Sequence, residues 1–129
     1  MKMYGTVTAV DDVCDDGYLG VRIVAGADVI QVAIEDARLC CEEYGCDIYI
    51  NDKECTLDEL THTLVGATVL SVAWDEKYVG RRRACDTAAV RITLCDGRIV
   101  HVMPWNDHNG YYCHTLRVAW HDYEDTQEL

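Results

Sequence analysis

The segment from Trp105 to His114 concentrates side chains that can do chemistry within ten residues. It carries two imidazoles, a carboxylate, two amides and two phenols. An imidazole with a pKa near neutrality and oriented by a carboxylate is the usual general base, and the same groups can bind a small polar ligand. The residues from which we predict a ligand-binding or partner-binding site are Asn106, Asp107, His108, Asn109, Tyr111 and His114.

One observation argues against catalysis by this segment, and another gives the segment a purely structural interpretation. No motif in the sequence joins a nucleophile, a general base and oxyanion donors, so we assign no catalytic residue. Asn109-Gly110 is also typical of a turn, which gives the segment a purely structural interpretation. The sequence leaves open whether the protein is an enzyme, and it favours a protein that is not.

The thiols and imidazoles of the chain could also bind zinc, which takes four such ligands. Cys40 and Cys41 do not form a Cys-x-x-Cys knuckle, and neighbouring residues of a strand, such as Cys113 and His114, point to opposite faces. We therefore expect no metal or other cofactor and interpret most cysteines as free thiols, several of which act as small buried hydrophobes. Zinc remains the weaker alternative, with the candidate ligands Cys40, Cys41, Cys46 and His108.

Three consecutive arginines, Arg81, Arg82 and Arg83, lie in a long predicted loop over residues 75–87. Guanidinium groups bind phosphate and carboxylate through paired hydrogen bonds, which makes this loop a second candidate contact surface. The same arginines can instead neutralise acidic loops of the protein itself.

The chain of 129 residues carries 23 acidic and 11 basic side chains, a formal net charge of −12. Direct binding to nucleic acid and adsorption to anionic membranes are therefore not expected, because both need clustered Lys and Arg. The acidic residues cluster at 11–16 and 122–128. Such a surface speeds association with a basic partner protein, although it can also serve only to keep the protein soluble.

The first residues of the chain alternate polar and apolar side chains and do not resemble a signal peptide. No run reaches the roughly 18 apolar residues of a membrane helix. We therefore expect a cytoplasmic protein, in which the eight cysteines stay reduced.

Hydrophobic periodicity predicts a single α+β domain over residues 1–121, followed by an acidic tail over 122–129 that frays. Alternating strands at 18–24 and 28–34 form a hairpin that turns at Gly26, after a first strand at 3–10. An antiparallel meander follows over 67–74, 88–95 and 98–103, with a last strand at 112–120. We expect this antiparallel sheet to carry two short helices on one face.

The two helices are predicted between the hairpin and the meander. Thr56-Leu57-Asp58-Glu59 is a capping box that begins the second helix, and Gly66 ends it. The first helix would end at Gly45. Its apolar stripe would consist of Ala37, Cys40, Cys41 and Tyr44.

Asp96-Gly97 predicts a two-residue turn between the strands at 88–95 and 98–103. In that register His101 pairs with Ile92 and shares a face with Leu94 and Ile99. The register therefore predicts that His101 is a hydrogen-bonded histidine of the core.

Two strings give the sequence a resemblance to a known family. They are Cys40-Cys41-Glu42-Glu43-Tyr44-Gly45 and Asn106-Asp107-His108-Asn109-Gly110-Tyr111-Tyr112-Cys113-His114. With the capping box and Leu64-Val65-Gly66-Ala67 between them, their order resembles a family of small phage and prophage proteins, a domain of unknown function. The resemblance covers roughly residues 30–120 and implies a genomic setting, but no activity.

This resemblance implies a phage accessory protein in the cytoplasm of a host cell. Taken with the acidic surface and the long loops, it leads us to expect a binding protein that antagonises a host enzyme or defence system. Its partner would be a host protein such as a nucleic-acid-handling or defence factor. The alternatives are a ligand-binding protein or enzyme built on residues 105–114, and a zinc module. A homo-oligomer formed through an exposed strand edge is also compatible with the sequence.

Overall fold

The computed structural model describes residues 4–14, 17–36, 43–107, 114–121 and 123–129. These residues contain eleven strands and one helix. In chain order they are β1 (Val7–Val13), β2 (Tyr18–Ala25), β3 (Asp28–Glu35), β4 (Glu43–Ile50), β5 (Lys53–Glu54), α1 (Leu57–Leu64), β6 (Val69–Asp75), β7 (Asp86–Thr87), β8 (Ala89–Leu94), β9 (Ile99–Asp107), β10 (Thr115–Trp120) and β11 (Tyr123–Glu128).

The strands form two antiparallel sheets. The first sheet has the strand order β1-β2-β3-β10-β11, and the second has the order β5-β4-β9-β8-β6, with β7 also pairing with β9. The predicted hairpin is confirmed as β2 and β3, which turn at Gly26. Gly26 has a φ of +65°, a conformation that glycine adopts at no steric cost. The predicted meander is confirmed as β6, β8 and β9.

The core lies between the two sheets and is built from alternate residues of their strands. Val21, Ile23 and Val32 of the first sheet pack in one cluster with Val100 and Val102 of the second. None of these side chains is more than 4% exposed. The two sheets therefore hold each other mainly by excluding water from a shared apolar layer.

The single described helix, α1, is the predicted second helix, and its capping box is confirmed. The Thr56 hydroxyl accepts a hydrogen bond from the Glu59 amide at 3.2 Å, and the Glu59 carboxylate accepts one from the Thr56 amide at 3.0 Å. Leu60 and Leu64 bury one face of the helix in the core. Among the described residues no helix has the length and apolar character needed to cross a membrane.

The predicted α+β class with two helices on one face is wrong, because the protein is mostly β-sheet. The predicted first helix includes 37–42, which lie outside the described residues, whereas Tyr44 and Gly45 belong to β4. Tyr44 pairs with Asn106 and Gly45 pairs with Trp105. Backbone pairing with β9 thus outweighs the apolar stripe that suggested a helix at these positions.

The expectation that the C-terminal residues fray is also wrong for the part that the structure describes. Residues Tyr123–Glu128 form β11, which pairs with β10 from Trp120 opposite Tyr123 to Thr115 opposite Glu128. Beyond Glu128, the main chain of Leu129 exchanges two hydrogen bonds with His114. This strand has no apolar alternation, so its backbone hydrogen bonds hold it in the sheet.

Candidate functional site

The described ends of the two strings that carry the family resemblance meet at one corner of the protein. Tyr44, from the first string, pairs with Asn106, from the second, where β4 and β9 meet. In the other sheet, Ile34 of β3 pairs with Leu116 of β10. The connection from β3 to β4 and the connection from β9 to β10 therefore contain the same number of residues, and each joins a strand of one sheet to a strand of the other.

Among the described residues of this corner, His114 is a deeply buried titratable group, with 1% of its surface exposed. Its Nδ1 lies 2.7 Å from the main-chain carbonyl oxygen of Glu35, so Nδ1 carries a proton and donates it. Its ring lies against Tyr44, with centroids 4.3 Å apart, and the Tyr44 hydroxyl donates to Asp36. These contacts fix the orientation of the imidazole, so His114 helps to hold the two sheets together at this corner.

The other predicted residues of this segment differ in exposure. Asn106 is buried, and its Nδ2 donates a hydrogen bond of 2.9 Å to the main-chain oxygen of Leu129. Asp107 ends β9 with an exposed carboxylate. The predicted site residues that lie outside the described part of the chain are His108, Asn109 and Tyr111.

The three arginines are not equivalent, because Arg81 and Arg83 are exposed while Arg82 is bound to the protein. Arg82 Nε donates to Asp47 Oδ2 at 2.9 Å, and its guanidinium carbon lies 3.6 Å from the centre of the Trp105 ring. The Trp105 indole donates to Asp47 Oδ1 at 3.1 Å. The hydrogen bond to Asp47 raises the pKa of Arg82. Arg82 therefore neutralises a carboxylate of its own chain, one of the two roles considered for this loop.

Further contacts fix the same loop to the outer face of the second sheet. The Arg81 amide donates to the Tyr49 hydroxyl at 3.1 Å, and the Tyr78 hydroxyl donates to Asp52 at 2.6 Å. Gly80 has a φ of +51°, and a Cβ atom at this position would lie 2.5 Å from the Tyr49 ring. Only glycine fits this close approach. The loop is therefore a fixed part of the surface.

His101 is buried and hydrogen-bonded, as predicted, but it lies on the outer face of the second sheet. Its Nε2 lies 2.9 Å from Asp75 Oδ2, and the ring of Tyr78 stacks on it. The hydrogen bond with His101 holds the pKa of Asp75 below its usual range. The predicted register is wrong by one residue, because His101 pairs with Arg91 rather than with Ile92.

The register differs because the turn at Asp96-Gly97 is longer than predicted. The Leu94 amide donates to the Arg98 carbonyl at 2.9 Å, and the Gly97 amide donates to the Leu94 carbonyl at 3.0 Å. The pairing of β8 with β9 therefore ends one residue earlier on β8 than a two-residue turn at Asp96-Gly97 would require. A shift of one residue exchanges the two faces of a strand, which moves His101 from the core face to the outer face.

The described residues contain no group of three or more His, Cys, Asp or Glu side chains that could hold a metal ion. Of the candidate zinc ligands, Cys40, Cys41 and His108 lie outside the described residues. Cys46 lies on β4 and packs against the core. Burial raises the pKa of its thiol to about 12.

The exposed acidic residues that the structure describes in the first sheet lie on its two edge strands, an arrangement that the sequence did not reveal. Asp11 and Asp12 are exposed on β1, which continues into the segment predicted to be an acidic loop. Glu124 and Glu128 are exposed on β11. In the described part of the chain β11 pairs with β10 alone. The backbone groups along the other side of β11 are therefore open to another strand.

Known proteins were compared with the chain in three ways. Models of protein families, curated proteins and solved structures all gave no match. The resemblance to small phage proteins therefore stays a prediction from the two strings.

Proposed function

We propose that the protein acts by binding a basic partner protein through the acidic edge strand β11. One observation carries the proposal: β11 pairs with β10 alone among the described strands and exposes Glu124 and Glu128. An extended segment of another protein can add to such an edge through main-chain hydrogen bonds. The acidic side chains favour a basic segment, and they oppose pairing with a second copy of β11 because like charges would face each other.

The internal contacts of the other candidate groups support binding over catalysis. His101 is hydrogen-bonded to Asp75, and His114 is hydrogen-bonded to the main chain at Glu35. Both imidazoles are buried. A general base must reach the proton that it abstracts, and these two are enclosed by their own protein.

The biological role that accompanies this proposal is the one implied by the resemblance to phage proteins. Host enzymes that handle nucleic acid carry basic surfaces, because they neutralise phosphate charges. An acidic protein that covers such a surface competes with the nucleic acid. We therefore propose that the protein antagonises a host enzyme or defence system in the host cytoplasm.

The test uses the whole protein as bait in a bacterial lysate, together with single charge reversals. Glu124→Lys and Glu128→Lys change the acidic edge, and Glu76→Lys makes the same charge change at an exposed position after β6. We expect the captured partner to be lost with the two β11 variants and retained with Glu76→Lys. Capture should also weaken as salt is raised, because exposed charges are screened.

Two further measurements connect the captured protein to the proposed edge and role. Amides of β11 that do not bond to β10 should exchange more slowly with solvent in the complex than in the free protein. The captured enzyme should lose activity when the wild-type protein is added and keep it when Glu124→Lys is added. Equal capture by the wild type and by both β11 variants would contradict the proposal.

A further inference from the structure

The register of β11 determines which of its backbone groups point away from β10. Leu129 and His114 exchange two main-chain hydrogen bonds, at 2.8 and 3.0 Å, and such bonded pairs alternate with non-bonded pairs along an antiparallel ladder. Every second residue back from Leu129 is therefore bonded to β10. The amides and carbonyls that point to the open side of β11 belong to the residues in between, Glu124, Thr126 and Glu128.

The side chains of these three residues lie on the outer face of the first sheet. Side chains alternate along a strand, and the intervening residues of β11 lie on the side of Val118 and the core. Within the described residues, neither Glu124 nor Glu128 has a hydrogen-bond or ion-pair partner. Arg117 lies on the same face of β10, but its guanidinium stacks on the Tyr18 ring, 4.2 Å from the centre. The open edge therefore presents two carboxylates that are four residues apart.

Asp125 caps the middle amide of this open edge. Its Oδ1 accepts a hydrogen bond from the Thr126 amide at 2.9 Å, and its Oδ2 accepts from the Gln127 side chain at 2.9 Å and from the Tyr123 hydroxyl at 3.0 Å. These hydrogen bonds, that from Gln127 above all, hold the pKa of Asp125 below its usual range. No described side chain caps the amides of the two glutamates. The cap limits indiscriminate pairing at the centre of the edge and leaves its two ends open.

We propose, on the basis of the function proposed above, that β11 accepts an antiparallel strand with two basic side chains four residues apart. Residues directly opposite each other in an antiparallel pair place their side chains on the same face, so each basic group lies beside Glu124 or Glu128. The residue between the two basic ones lies opposite Thr126, and its carbonyl accepts the Thr126 amide when Asp125 turns aside. The main chain supplies the contact, and the spacing of the charges selects the partner.

A peptide with blocked ends and the sequence Ser-Lys-Val-Thr-Val-Lys-Ser tests the proposal on the whole protein by NMR titration. Its lysines and its threonine share one face of a strand, and we expect the largest shift changes at the amides of Glu124, Thr126 and Glu128. Methylation of the threonine nitrogen removes a donor that faces β11 and should weaken binding roughly tenfold. Methylation of the second valine nitrogen, which faces away from β11, is the matched control and should change the affinity by less than about twofold.

Combined changes in the protein and the peptide test the charge pairs and the cap. Glu128→Gln, or glutamine in place of the first lysine, should weaken binding roughly threefold, and both changes together should cost no more than either alone. The same coupling is expected between Glu124→Gln and the second lysine. Glu76→Gln, at an exposed position after β6, should leave the affinity unchanged. Asp125→Ala should bind roughly threefold more tightly than Asp125→Asn, because both remove the charge and only alanine also removes the cap.

Three results would overturn the proposal. Equal losses with the two methylated peptides would exclude the addition of a strand. Equal effects of Glu76→Gln and Glu128→Gln would indicate general attraction of cations to an acidic protein, and equal affinities of Asp125→Ala and Asp125→Asn would remove the role of the cap. If the peptide fails these tests while Glu124→Lys still abolishes capture from the lysate, the proposed function stands and only the mode of binding is wrong.

Discussion

The ring of Tyr78 lies flat on the imidazole of His101, with the ring centroids 3.6 Å apart and the planes 1° from parallel. The Tyr78 hydroxyl is held by Asp52, so the ring covers His101 where the imidazole meets Asp75. This stack ties the loop after β6 to the outer face of the second sheet. His101 is therefore a residue that holds the fold together, although a histidine bonded to an aspartate resembles a catalytic pair.

The pair of Asp75 and His101 predicts how stability changes at acid pH. The folded protein lowers the pKa of Asp75, chiefly through the hydrogen bond with His101, so this carboxylate stabilises the fold above its unfolded pKa of about 3.9. That contribution is lost as the pH falls through the lower, folded value. We expect the free energy of unfolding to fall more steeply below about pH 4 in the wild type than in Asp75→Asn. Urea unfolding at several pH values measures this difference, and Asp11→Asn controls for the loss of one charge. Parallel curves for the wild type and Asp75→Asn would contradict the prediction.

Arg82 should contribute more to stability than its neighbours in the sequence. Replacement by alanine leaves Asp47, whose side chain is 10% exposed, without its cation, and we expect a cost of about 1–3 kcal/mol. Arg82→Lys should recover only part of this, because lysine cannot reproduce the planar stack on Trp105. Arg83→Ala is the control and should stay within about 0.5 kcal/mol of the wild type. Chemical unfolding of the three variants gives these values, and equal costs for Arg82→Ala and Arg83→Ala would refute the assignment.

Gly20, on strand β2 of the first sheet, should tolerate no added side chain. Gly20 pairs with Ala33, which pairs with Arg117, and the guanidinium of Arg117 lies 4.2 Å from the centre of the Tyr18 ring. A Cβ atom on Gly20 would lie 2.0 Å from the main-chain oxygen of Val32. We therefore expect Gly20→Ala to destabilise the protein by about 3 kcal/mol or more, since backbone would have to move.

The matched comparison for this substitution is Gly17→Ala. Gly17 has a φ of +76°, but a Cβ atom on this residue would meet no described atom within 4 Å, so the cost there is conformational and about 1–2 kcal/mol. Thermal unfolding should rank the wild type above Gly17→Ala and Gly17→Ala above Gly20→Ala. The reverse order of the two variants would show that the strands can separate at Gly20.

The pairing of β11 with β10 predicts protected amides near the end of the chain. Leu129 donates to the His114 carbonyl at 2.8 Å, and the Trp74 indole donates to the Tyr123 hydroxyl at 3.0 Å. Amides that bond to β10 should therefore exchange more slowly than those on the open side of the same strand. Hydrogen exchange followed by NMR resolves the two sets. Exchange of both sets at the rate of an unfolded chain would show that this segment frays after all.

Local signals in the sequence predict the elements that depend on local contacts. The capping box at Thr56–Glu59 identifies α1, and Gly26 identifies the hairpin of β2 and β3. In β4, by contrast, Asp47 and Tyr49 face a loop that covers the sheet, while Ile48 faces the core. Because both faces of the strand are covered, the alternation that marks a half-exposed strand is weak, and the sequence pattern there resembles the end of a helix.

The contacts around the candidate site join residues that are distant in the sequence. Nothing local links Arg82 to Asp47 or His101 to Asp75, because these pairs form only when the loop after β6 folds onto the second sheet. The strand β11 is hard to predict for a different reason. Its residues are mostly exposed and polar, and its place depends on the open edge of β10. Composition could identify its acidic charge, but not that the charge lies along a strand.

Each sheet contains a pair of strands that are distant in the sequence, and this separation has a consequence for the rate at which the chain folds. Gln31 pairs with Ala119, and Glu43 pairs with Asp107, so in each sheet two of the paired strands lie far apart in the sequence. The β2–β3 and β8–β9 hairpins can form from neighbouring residues, but these two pairings must first close very long loops. Proteins with such a high contact order fold in milliseconds to seconds. A newly made chain therefore passes through a period in which its hairpins are formed and its sheets are still incomplete.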